Sequence, residues 1–158
     1  MRATMWSRTA VAALFWVGIA GCAGAGGPSS RIEQGELVGV WSNSAGARLE
    51  FGLDHGFSAT GLNHALPYDG CAATVTAGRW QFYVPVGTSS SDFDASESAT
   101  AGKSLSLKMS DKFDTFECDL EADIQQDSSG LNLCLVQDPD QTCTAEELVR
   151  KDTASRAR

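Results

Sequence analysis

The chain is poor in the residues that usually carry catalysis. It has only two histidines in 158 residues, His55 and His64, and it contains no Gly-x-Ser-x-Gly elbow, no Ser-x-x-Lys pair and no Cys-x-x-Cys. A nucleophile needs an adjacent base held by a third group, so acyl-transfer chemistry has few places to sit. Ser58 with His55 or His64, oriented by Asp54 or Asp69, is the one arrangement the spacing allows, and a hydrolase is the least favoured reading. Basic residues are also scarce, 12 against 20 acidic, for a net charge of −8. Nucleic acid is therefore excluded as a partner, because binding it requires a basic footprint that displaces counterions. After the first 20 residues there is no long apolar run and no helical stripe suited to a crossover, which argues against an α/β fold.

What is present begins at the N-terminus. Arg2 and Arg8 precede an uncharged apolar run, Thr9 to Ala20, and the small residues Ala20 and Gly21 lead into Cys22. This is the layout of an export signal. It is shorter than the roughly 20 apolar residues of a spanning helix. Ile19-Ala20-Gly21-Cys22 resembles the lipobox of bacterial lipoproteins. The resemblance implies that residues 1–21 are removed, that Cys22 carries a diacylglycerol thioether, and that the protein sits at the extracytoplasmic face of the cell membrane. Two or more acyl chains suffice for stable attachment.

Removing the first 21 of 158 residues leaves 137, a single domain by the usual prior. Arg2 and Arg8 leave with the signal, so the net charge moves from −8 to −10. Residues 22–35, rich in Gly, Ala and Ser, read as a flexible tether. With Cys22 assigned to lipid, Cys71, Cys118, Cys134 and Cys143 remain, an even set that in an exported chain reads as two disulfides with three possible pairings. Cys134 with Cys143, bracketing a turn, and Cys71 with Cys118 is the preferred set.

From residue 36 to 151 the pattern is of short strands. Leu37, Gly39 and Trp41 alternate, as do Leu49, Phe51 and Leu53, and Asp54-His55-Gly56 turns into a strand from Phe57. Trp80, Phe82, Val84 and Val86 alternate again, with Pro85 marking a strand end. Leu105, Leu107 and Met109 follow, then Phe116, Cys118, Leu120, Ala122 and Ile124, then Leu131, Leu133 and Leu135, and a last strand or turn over 145–151. Short connections favour hairpins, so the expected fold is all-β, an antiparallel up-and-down meander closing into a small barrel. Residues 152–158 read as a disordered tail.

Gly39-Val40-Trp41 resembles the Gly-x-Trp signature of lipocalins. That resemblance implies a barrel whose closed end is plugged by Trp41, with Arg150 packing over it. Trp41 and Trp80 themselves read as core aromatics or, alternatively, as lining a ligand cavity. The wider pattern of Leu37-Val38-Gly39-Val40-Trp41, Asp54-His55-Gly56-Phe57, Gly78-Arg79-Trp80 and Asp138-Pro139-Asp140 is similar to small actinobacterial lipoproteins of unknown function.

The stretch 87–103 is the longest without a strand pattern and reads as a solvated loop centred on Phe93. Its Asp92, Asp94 and Glu97 lack the fixed glycine and distal glutamate of a calcium loop, so no metal and no cofactor are expected. Asp138 and Asp140 read as turn formers around Pro139 rather than as a catalytic carboxylate pair. Taken together, the sequence reads as a lipid-anchored binding protein. One version holds a small apolar ligand inside the barrel; the alternative is a barrel filled by its own side chains whose loops dock an envelope protein.

The anchor assignment is tested by Cys22→Ser. The variant should accumulate as unprocessed precursor and take up no radiolabelled fatty acid, whereas normal processing and labelling would remove the lipobox.

Overall fold

The computed structural model describes residues 27–66, 76–88, 92–109, 119–136 and 143–152. Cys22, Cys71, Cys118, Asp69, Phe116, Asp138 and Asp140 lie outside the described residues.

Period-2 alternation of apolar residues dictates the architecture. A strand with every second side chain apolar must bury one face, and eight such strands do so by closing on themselves. They are β2 (Gly39–Ser42), β3 (Arg48–Phe51), β4 (Gly56–Thr60), β5 (Ala77–Pro85), β8 (Ser104–Met109), β9 (Asp119–Asp127), β10 (Gly130–Val136) and β11 (Leu148–Lys151). Every neighbouring pair is antiparallel, and the ring is completed by β4 against β5 and by β11 against β2. This is the expected up-and-down barrel. Each strand sends its alternate residues inward, among them Trp41, Leu49, Phe51, Phe57, Ala59, Trp80, Phe82, Leu105, Leu107, Ile124, Leu133, Leu135 and Val149, and these form one buried cluster.

Both ends are covered. The N-terminal segment β1 (Ile32–Glu33) and the single-turn helix α1 (Gln34–Leu37) lie at the end where β2 begins, and Ile32 and Leu37 join the core there. At the opposite end a 3-10 turn, Leu62–His64, follows β4 and brings Leu62, Ala65 and Leu66 into the same cluster.

Four local expectations need correction. The tether expected over 22–35 stops sooner. Ser29 bridges Gln125, the Gln126 N–H donates to the Pro28 carbonyl, and Ile32–Glu33 pairs with β7 (Ala101–Gly102), because β9 outruns β8 and leaves an edge that this segment satisfies. The inward series Leu49, Phe51, Leu53 ends at Phe51, since Gly52 N–H donates to the Gly56 carbonyl and turns the chain, leaving Leu53 exposed at the tip. The stretch 87–103 is not strand-free. It contains β6 (Phe93–Ser96), paired with the second half of β5, as well as β7; its serine and alanine content hides edge strands that bury little. Finally, Asp152 is bound rather than part of a tail, donating its N–H to Val40 and accepting from the Ser42 hydroxyl at 2.8 Å.

The barrel closes where β4 meets β5, and Gly78 makes that seam possible. It pairs with Phe57 on one side and Met109 on the other, and a Cβ there would fall 2.2 Å from the Lys108 carbonyl oxygen and 2.7 Å from the Phe57 ring. Gly78→Ala should therefore destabilise the fold by about 1–3 kcal/mol, the usual range for overpacking. Gly35→Ala, where nothing lies within 4 Å, should be neutral or stabilising by up to about 1 kcal/mol through helix propensity. Urea unfolding of both variants checks the contrast, and equal midpoints would refute the steric account.

Candidate functional site

The two tryptophans singled out from sequence are both fully buried. Trp41 donates its indole N–H to the Leu37 carbonyl at 2.7 Å, tying β2 to the end of α1. The cation over its ring is Lys151, whose ammonium lies 5.7 Å from the ring centroid and also donates to the Glu36 carbonyl. Arg150, expected in that position, points the other way. Consecutive strand residues face opposite sides of a sheet, so residue 150 lies on the outer face, with its guanidinium 3.6 Å from Asp127, while residue 151 turns to the barrel end. The correction is one residue in sequence and a whole face in space.

Trp80 is packed on every side. It meets Phe51 edge-on with ring centroids 6.4 Å apart and Phe82 at 5.4 Å, and its indole N–H donates to the Gly52 carbonyl at 3.2 Å. His55 stacks on it, 4.2 Å between centroids and 14° from parallel. His55 reaches this position with φ of 63° in the β3–β4 turn, a conformation uncommon outside glycine. It is held by its Nδ1 against the Trp80 carbonyl at 3.2 Å and by Trp80 N–H donating to its own carbonyl. Asp54 supports the turn by accepting from Gly56 N–H at 3.0 Å.

The other histidine is bound in a similar way. His64 Nδ1 lies 2.7 Å from the Ala45 carbonyl, joining the 3-10 turn to the β2–β3 turn. Among the described residues neither histidine is hydrogen-bonded to a serine or a carboxylate. Of the acidic residues considered for calcium, Glu97 faces Arg79 at 3.7 Å and Asp94 lies in β6 opposite Val84 of β5; among the described residues no group of three or more metal-ligating side chains forms.

The disulfide Cys134–Cys143 is present, with Cα atoms 5.8 Å apart. Cys134 and Val136 face outward from β10, and the bridge holds Cys143 and Leu148 over them as a second apolar cluster. Sequence reasoning paired these cysteines but did not see that they cover the outside of the barrel.

Two further features were missed. A groove of about 490 Å³ lies between β2 and β11, lined by Ser42, Asn43, Ser44, Ala145, Leu148 and Arg150. On the outer face of β9, Glu121 and Asp123 are half-buried; burial raises both above the usual carboxylate range, and Asp123 raises Glu121 further. The signal for this pair was available in the alternation of Leu120, Ala122 and Ile124, which forces 121 and 123 outward together.

Comparison with protein-family models, curated proteins and solved structures finds no match.

A carboxylate whose folded value is raised binds its proton more tightly in the native state, so ionising it costs stability. The cost is absent below the ordinary carboxylate range, grows as pH rises toward the raised value and is complete above it. Asp123→Asn should thus stabilise the fold modestly at pH 7, by no more than about 0.5 kcal/mol as for other surface substitutions, with the gain fading as pH falls through the raised value and gone below the ordinary carboxylate range. Melting curves across this range test it; a gain that persists in acid would point to a cause other than ionisation.

Proposed function

We propose that the chain is a lipid-anchored, extracytoplasmic interaction module, a barrel whose interior serves stability and whose outer surface meets a partner. The observation that supports this reading over a ligand-holding barrel is the single apolar cluster to which all eight barrel strands contribute, capped by Ile32 and Leu37 at one end and by Leu62, Ala65 and Leu66 at the other. An eight-stranded barrel is just wide enough for its own side chains to fill it or for one small ligand to enter. Large residues at inward positions favour the first outcome, and Trp41, Trp80, Phe51 and Phe82 are among the largest fully buried side chains. Both indole N–H groups are bonded to the main chain, so neither is left to recognise a guest.

Attachment in this reading comes from lipid on Cys22. Without Arg2 and Arg8 the net charge of −8 becomes −10, which repels anionic headgroups and leaves the acyl chains to hold the protein at the membrane and the barrel surface free to face other molecules.

Native mass spectrometry of the full-length chain, exported by a bacterial host and kept in detergent throughout, distinguishes the two barrels. The filled barrel should give the mass of the lipidated chain alone after detergent is stripped. A reproducible additional mass of a few hundred daltons, lost on denaturation, would overturn this reading in favour of an interior ligand.

A further inference from the structure

The segment that precedes the barrel fixes where the anchor lies. Ser30 N–H donates to the Ile124 carbonyl, Ser29 bridges Gln125, Gln126 N–H donates to the Pro28 carbonyl, and Gly27 lies against the Gln126 carbonyl. The chain is thus held to the barrel wall from Glu33 back to Gly27, and 27 minus 22, or five, residue steps separate Gly27 from Cys22. Fully extended, five steps span at most about 18 Å. The longest barrel strands, Ala77–Pro85 and Asp119–Asp127, have nine residues each, which at the usual tilt is more than about 20 Å of barrel height. An acylated Cys22 therefore draws one end of the barrel to the membrane, the end where α1 lies, and the link is too short to present the other.

Exposed apolar residues are gathered at that same end. Among the described residues three large hydrophobic side chains stand in solvent, Leu53 at 69%, Val86 at 49% and Phe93 at 55% exposure. Leu53 is at the tip of the β3–β4 turn, and its carbonyl accepts from Gln34 Nε2 of α1 at 2.8 Å. Val86 and Phe93 belong to the tip of the β5–β6 hairpin, where Val86 N–H donates to the Asp92 carbonyl and Phe93 stands opposite Pro85. The ladders set this tip beside the anchor. Phe82 is opposite Leu105, which is opposite Ala122, and counting on four residues from each outer strand (82 to 86, 122 to 126) gives Val86 and Gln126. Gln126 is the residue on which the N-terminal segment rests.

We propose that Val86 and Phe93, with Leu53 on the neighbouring turn, enter the headgroup layer of the same phospholipid bilayer that holds the acyl chains of Cys22; this rests on the anchored-barrel reading and gives it an orientation. A single exposed apolar residue needs no explanation. Three that share the end from which the anchor leaves are placed where a bilayer would cover them. Apolar side chains of this kind settle about 5–10 Å into the boundary between headgroups and acyl chains. A few of them bind a bilayer weakly alone, but on an anchored chain the contact is intramolecular, at the effective concentration set by a short link. Charge agrees with this placement. The chain carries no charged residue from Cys22 to Ser30 or from Phe82 to Ser91, so the two stretches nearest the membrane bring no acid to it although the protein as a whole is acidic. The acids that flank Phe93, Asp92 and Asp94, keep the contact shallow, since a carboxylate does not follow an apolar side chain into hydrocarbon.

The test uses the full-length chain, exported and lipidated by a bacterial host and reconstituted into phosphatidylcholine vesicles with or without acyl-brominated phosphatidylcholine, which quenches any indole that reaches it. Trp41 and Trp80 are buried and set the background. Phe93→Trp adds an indole at the hairpin tip, and Asn63→Trp adds one at the opposite end, where Asn63 is exposed. Flotation is measured first, and a chain that does not float with the vesicles removes the anchor and this proposal with it. In floating protein the added emission of Phe93→Trp should fall at least about twofold in brominated vesicles, as for a residue at the headgroup boundary, while that of Asn63→Trp stays unchanged. Adding Val86→Asp to Phe93→Trp should reverse most of the quenching without affecting flotation. Equal quenching of the two tryptophan variants, quenching at residue 63 alone, or none in either would overturn the proposal and leave the anchor standing. The filled-barrel reading is decided separately, by whether an interior ligand is found.

Discussion

The structure depends on the pairing of β4 with β5. Without those three residue pairs, Gly56 with Arg79, Phe57 with Gly78 and Ser58 with Ala77, the strands would form an open sheet with two unprotected edges and one wet apolar face. An open edge is a row of unpaired peptide groups ready to capture another chain. Closure removes both edges at once and turns the period-2 pattern into an enclosed core. It also explains why the seam is made at a glycine: the Phe57 ring and the Lys108 carbonyl occupy the volume a side chain would need. β5 is long enough to serve two neighbours on this side, β4 along its first part and β6 along Phe82–Pro85, so the wall is finished by a hairpin that carries almost no apolar residues of its own.

Once the ring is closed, the problem that remains is its two ends. Trp41 and Trp80 address one of them in different ways. Trp41 bonds to the chain that precedes its own strand, through the Leu37 carbonyl, and Lys151 lies over it from the last strand; the first and last barrel strands are thereby joined by side chains as well as by a two-residue ladder. Trp80 is covered by His55, in a backbone conformation that costs energy and is maintained by the stacking and by hydrogen bonds in both directions between the two residues. The polar residues near the tryptophans thus complete the core, which is the physical reason that their presence in sequence resembled a site.

Much of the barrel was legible because inward residues repeat every second position and because turns are marked by Asp, Asn and Gly. The strands around Trp41, Phe51, Phe57, Trp80, Leu107, Ile124 and Leu133 were readable on those grounds. β6 and β7 were not, since Phe93-Asp94-Ala95-Ser96 and Ala101-Gly102 bury too little to leave a pattern. Nor was the role of Pro28–Glu33, whose glycine- and serine-rich surroundings look like a linker; its place in the wall is set by the excess length of β9, a tertiary fact. The exchange of Arg150 for Lys151 shows the narrowest margin of all. Composition locates a cation near the end of the last strand, but only the register decides which of two adjacent residues faces inward.

The same register argument explains why the groove lies where it does. β11 is four residues long and must match β10 on one side and β2 on the other, yet β2 turns at Asn43 while β10 continues to Val136. A strand between neighbours of unequal length leaves part of one edge without a ladder. Elsewhere in the barrel such a mismatch is covered: the N-terminal segment lies along the free end of β9, and β6 lies along the free half of β5. At β11 the covering segment is the disulfide-linked stretch from Cys143 to Leu148, and it packs over the outer face of β10 instead of along the edge that faces β2. The disulfide therefore stabilises one apolar surface, with Leu148 buried beneath it against Val136. Among the described residues the seam is finished by a side chain in place of a ladder: Asn43 Nδ2 donates to the Glu146 carbonyl at 2.7 Å and its Oδ1 accepts from Ala47 N–H at 2.9 Å, so one amide at the end of β2 both turns the chain and joins it to the segment before β11.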